Sequence, residues 1–135
     1  MSADVFRAES DKSIVDFIKD LGKAMAVRGF LIHNDNKTEM VHHFGYHGVE
    51  LAKGFDLRMV QVCAPKASAQ SMTENLERAV ILPKFIVVFS KNKKTQVRML
   101  RIHRELVAEL VDDAEFPAMH AAVCDSLTAA IEAAL

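Results

Sequence analysis

Apolar and polar positions alternate with period two over residues 4–9, Phe6 and Ala8 opposing Val5 and Arg7, which predicts a first, edge-like strand. The period then changes. Ile14, Ile18, Leu21 and Met25 recur at helical spacing with Phe17 and Ala24 beside them, and Ser13-x-x-Asp16 resembles the capping box that opens a helix. Gly29 follows where the chain must leave that helix through a left-handed residue, and residues 30–33 read as a short strand ending at Asn34-Asp35-Asn36. Gly22 inside the helix costs about 1 kcal/mol against alanine, so close packing is its expected reason.

Residues 37–54 have no clean period. Met40, Val41 and Phe44 suggest one helical turn, whereas Gly45 and Gly48 predict an irregular connection reaching the next strand near Asp56. Leu57 to Cys63 alternates again. Pro65 suits the first turn of a helix, because its missing N–H would be unpaired there, and a helix is expected over residues 65–80 with Ala69, Met72, Leu76 and Ala79 on one face. Two apolar runs, 84–90 and 95–102, flank Lys91-Asn92-Lys93-Lys94 and read as a hairpin. A helix over 104–112 and a longer one opening at Pro117 complete the chain, with Met119, Val123, Leu127 and Ile131 four apart. Asp112-Asp113 falls where acids cap the helix that follows. The order predicts one α+β domain over residues 1–135: a mostly antiparallel sheet of about five strands with helices packed on one face, plus an extra C-terminal helix. The apolar stripe of that last helix suggests either packing on its own sheet or a homodimer.

The succession of strand, Ala64-Pro65 turn, helix, Leu82-Pro83 and strand resembles the core of the domain-of-unknown-function 302 family, with Cys-Asn-Pro or Gly-Asn-Pro at the first turn and Leu-Pro before the next strand. The resemblance covers residues 5–102 and leaves 103–135 as a helical extension. It implies the fold but no settled activity. Members with Cys-Asn-Pro often carry a second cysteine after the Leu-Pro, which implies a dithiol. This chain departs from that pattern at Ala64 and Lys84, leaving a single thiol, Cys63, with Lys84 as a possible cationic neighbour.

The chain has 135 residues, half of them apolar and 26% charged, enough for a core without disulfide staples. No run of about 18 apolar residues crosses a membrane, and the first residues lack a signal peptide's basic flank and apolar segment, so a cytoplasmic protein with reduced Cys63 and Cys124 is expected. Net charge is −1 but unevenly divided: residues 1–104 hold all 17 bases against 11 acids, and residues 105–135 hold seven acids and no base. The acidic segment either docks on the basic part or is separately solvated.

Four features carry candidate chemistry. Cys63, between a strand and a helix start, is placed for a lowered thiol pKa, hence for a nucleophile or soft ligand; otherwise it is a small apolar residue at a strand end. In Met40-Val41-His42-His43-Phe44-Gly45-Tyr46-His47, a helical conformation puts His43 and His47 on one face, the spacing that lets two imidazoles meet one metal. Imidazole and thioether donors also suit haem iron, non-covalently since no Cys-x-x-Cys-His is present; the alternative is an exposed polar loop. The methionines shape either a pocket or ordinary core. Seven bases and no acid between Lys84 and Arg104 suit phosphates, but no nucleic-acid-binding signature accompanies them, and hairpin lysines also guard a sheet edge. No nucleophile elbow, phosphate loop or dinucleotide fingerprint is present. The sequence therefore predicts a ligand-binding domain, more in keeping with a non-enzyme, that holds haem or a transition metal through His47 and His43 with Met40 or Cys63. The alternatives are a sulfur or persulfide carrier using Cys63, with Lys84 beside it, and a protein-interaction module.

Overall fold

The computed structural model describes residues 1–135. Five strands, β1 (Ala3–Ser10), β2 (Leu31–Ile32), β3 (Leu57–Cys63), β4 (Lys84–Lys91) and β5 (Lys94–Ile102), form one sheet in the order β1-β5-β4-β3-β2, every pair antiparallel. Five helices accompany them: α1 (Ile14–Ala26), α2 (Met40–Tyr46), α3 (Pro65–Glu74), α4 (Arg104–Leu110) and α5 (Phe116–Ala134). The α+β class with a five-stranded antiparallel sheet is as the sequence predicts.

Period-two patterning decides which face of the sheet is covered. Val60 and Val62, Ile86 and Val88, and Val97 and Met99 turn inward, and α1 and α5 lay Phe17, Leu21, Met25, Leu127 and Ile131 over them. Truncating a side chain of this kind, such as Leu127, to alanine costs about 2–5 kcal/mol. The Ser13 hydroxyl accepts from the Asp16 N–H at 3.1 Å to open α1, and Gly29, at φ 82°, closes it as expected. The β4–β5 hairpin turns through Asn92 and Lys93, both with positive φ, the geometry of a two-residue turn that follows strand twist.

Three expectations need correction. First, the 65–80 helix breaks at Asn75, whose extended backbone (φ −157°) separates α3 from a 3-10 turn at Leu76–Val80. Ala69, Leu76 and Ala79 are exposed, while Ser71 and Arg78 are buried, because a guanidinium network draws the polar face inward. Second, the segment after Lys37 is more regular than its glycines suggest, α2 running nearly two turns with Gly45 inside it. Third, the terminal helix is part of the core and not an addition to it: Leu127, Ala130, Ile131 and Ala134 are buried within the chain, so this part of the stripe packs on its own sheet, one of its two expected uses, while Met119 stays exposed.

Candidate pocket between the third and fifth helices

One end of the sheet opens into an apolar pocket of ≈ 120 Å³. Phe30 and Val62 form its sheet-side wall, Ala64, Ala67 and Ser68 the wall at the start of α3, and Met119, Val123 and Leu127 that of α5. Two cationic or basic side chains enter it, Lys84 and His120.

Lys84 is there because Leu82-Pro83 starts β4 and the register sets Lys84 opposite Val62, on the helix-covered face. Its ammonium donates to the Ile81 carbonyl and has no carboxylate partner. Burial therefore lowers its pKa. His120 lies on the inward stripe of α5 with Phe116, Cys124, Leu127 and Ile131. Only 1% exposed, its ring has no hydrogen-bond partner at Nε2, while Nδ1 faces the Cys124 thiol at 3.9 Å. Burial, then the nearby Lys84 charge, lowers its pKa to about 4, so the ring is neutral near pH 7. Burial also pushes the Cys124 thiol up, which keeps it protonated.

A buried ion pair braces the pocket. Arg78 bonds Asp113 in bidentate fashion (Nε to Oδ2 2.6 Å, Nη2 to Oδ1 3.1 Å), reaches Ser71 Oγ and Glu74 at 3.0 Å each, and lies 5.2 Å over the Phe116 ring. Asp113 accepts as well from Asn75 and from the backbone of Glu115 and Phe116, capping α5 as the sequence predicts. The Arg78 guanidinium, then Asn75, holds its carboxyl well below the usual carboxylate range. Asp113 is also the one acid after residue 104 in an ion pair, so the acidic segment meets the basic part through a single charge pair and otherwise packs by its apolar side chains.

The residues singled out from sequence lie elsewhere, Lys84 excepted. Met40 is half-buried and opens α2; His43 is exposed on it, and His47 is the exposed residue closing it. The His43 and His47 rings meet edge-on at 5.1 Å, which satisfies the spacing argument. The hollow beside them, ≈ 610 Å³, is larger than the α3–α5 pocket, and Asn36, Lys37, Glu39, His42 and His43 line it with polar side chains, Tyr46 being its one large ring. Nowhere do three His, Cys, Asp or Glu side chains gather to hold a metal. Cys63 pairs with Leu31, at the opposite end of β3 from the bridge by which Glu39, before α2, meets Arg58. Lys84 is not its neighbour on the same face: it lies beside Val62 on the covered side, and strand alternation turns Cys63 to the other. Cys63 and Cys124 are both free thiols. His120 carried a readable signal: Phe116, His120, Cys124, Leu127 and Ile131 are spaced four, four, three and four, a better helical stripe than the uniform fours beginning at Met119.

The sequence model of the family described as "Domain of unknown function DUF302" matches residues 6–134. The chain belongs to the DUF302 family. The match runs through α5, so the terminal helix is part of the family's domain and not the extension that the sequence resemblance, ending at 102, implied. The chain is also similar to an uncharacterized conserved DUF302 protein from Bacillus stearothermophilus, known from a crystal structure, with 18% identity, a TM-score of 0.79, and 97% of this chain and 98% of that one covered. That likeness concerns the DUF302 fold. A search of curated proteins finds no match. No helix is long and apolar enough to cross a membrane.

Proposed function

We propose that this chain is a small-molecule-binding domain whose site is the α3–α5 pocket, and that its ligand is a compact organic molecule with an apolar body and an oxygen-bearing head, a carboxylate or a carbonyl. One observation carries this reading: a buried imidazole with an unpartnered Nε2 shares an apolar pocket with a buried ammonium that has no counter-charge. A buried polar atom left without a partner costs about 1–3 kcal/mol, and an uncompensated charge more, so a ligand head that accepts from both recovers what the empty pocket forgoes. With the Cys124 thiol facing Nδ1, the ring can carry its proton on Nε2 and so serve as a donor.

Size sets the ligand class. An apolar cavity of about 150 Å³ accepts benzene, so ≈ 120 Å³ suits a body of a few carbons with its head toward Lys84, and a tetrapyrrole is excluded from it. Haem or metal held by the α2 histidines receives no comparable support, since His43 and His47 are exposed and no third His, Cys, Asp or Glu gathers with them.

Methyl NMR of the labelled protein titrated with butyrate tests the reading. Saturable shifts at Val62, Val123 and Met119, lost in Lys84→Met and retained in His43→Ala, are expected. Shifts confined to other surfaces, or none, would overturn it.

A further inference from the structure

We propose that Lys84 takes short aliphatic aldehydes as covalent ligands, its Nζ condensing with the carbonyl to a reversible imine inside the α3–α5 pocket. The inference rests on the pocket reading above and narrows its ligand to a carbonyl.

Geometry separates Lys84 from the other lysines. It is 9% exposed, and its sole polar partner is the Ile81 carbonyl, which accepts a hydrogen bond without fixing a positive charge as a carboxylate does. Lys12 and Lys94 are paired with Asp20 and Asp11, and such partners favour the ammonium. Burial without a partner favours the neutral amine, which alone is nucleophilic, and the direction of the Lys84 shift agrees. The pocket's apolar walls seat an alkyl chain, and His120, whose Nε2 is unpartnered, lines the same pocket as the amine.

The step balances without an oxidant or metal. The Nζ lone pair attacks the carbonyl carbon, the π pair moves to oxygen, and a proton passed from nitrogen through His120 gives a neutral carbinolamine. The nitrogen lone pair then expels the hydroxyl, which leaves as water with a second proton from nitrogen, and C=N forms. Amine and aldehyde become imine and water; hydrolysis reverses the sequence. A neutral imidazole, which can carry its proton on either nitrogen, lets His120 relay the proton in both directions.

Reductive trapping tests this. The intact protein is treated with limiting butanal and cyanoborohydride, and peptide mapping reads butylation at each lysine. Lys84 is expected to label faster than exposed Lys91, because the neutral amine is the form that reacts. Butyrate should protect Lys84 and leave Lys91 unprotected. His120→Phe, its fold checked by circular dichroism, should slow labelling of Lys84 and not of Lys91. Labelling of Lys84 no faster than Lys91 would overturn the inference. If butyrate still shifts the pocket methyls, the binding reading survives that failure; if it does not, that reading falls too.

Discussion

The α2 segment and the α3–α5 pocket contain similar side chains in opposite settings. Around α2, three histidines crowd into six residues, exposed to water and beside a wide polar hollow. In the pocket, one histidine and one lysine come from positions 36 residues apart, each almost fully buried among apolar side chains. The first group is open to water and the second is largely shielded from it, so the sparser pair holds more unspent interaction free energy. Donor density along a chain is therefore a poorer guide to a binding site than the enclosure of a few donors.

The largest difference between the regions should appear on breaking the brace of the pocket. Arg78 and Asp113 are 3% and 8% exposed, and removing one partner strands the other's charge. Asp113→Ala should cost about 3–5 kcal/mol in urea unfolding, with the loss of the α5 cap included. His43→Ala should stay within about 0.5 kcal/mol of the parent. Equal costs would dissolve the contrast.

Acid comes next. The folded pKa of His120 is depressed to about 4 from an ordinary 6.5, so its neutral form belongs to the native state and the unfolded chain binds the proton first. Stability from this group is complete above pH 6.5 and is lost as pH falls toward 4, by roughly 3 kcal/mol over the full interval. The groups facing the ring are Lys84 from β4, Cys124 from its own helix and the Phe116 ring. Asp4, held at about 2 first by hydrogen bonds from Arg101 and His103, and Asp113, lower still, titrate beneath this window. His120→Phe should flatten the stability profile between pH 6.5 and 4; an unchanged slope would show that the ring is not the group responsible.

How far these settings can be read without coordinates depends on what fixes them. Sheet, hairpin, α1 and the caps at Ser13 and Asp113 follow from local periodicity and from residues with one preferred use. Lys84 could be singled out from its place after Leu-Pro, but its face could not, because that depends on a register with Val62 that only the folded sheet supplies. The broken α3 was hidden for a related reason: Ala69, Leu76 and Ala79 satisfy a helical period, yet Arg78 is drawn inward by Asp113, 35 residues away. His120 was legible in spacing and obscured by Met119 and Val123, which give a competing stripe one position earlier.

A smaller effect separates stability from binding within the pocket. Lys84→Met removes a buried charge without a counter-ion and keeps a chain of similar length, so the unliganded protein should be unchanged or more stable by about 1 kcal/mol, even though the Ile81 carbonyl loses its donor. The same variant should lose the response to butyrate. Residues that cost the empty fold stability and are needed once a ligand arrives mark a functional position. Thermal unfolding with and without butyrate gives both halves: Lys84→Met should raise or hold the melting temperature and abolish the ligand-induced rise, whereas a loss of stability in the unliganded variant would make Lys84 a structural residue and return the comparison to the α2 histidines.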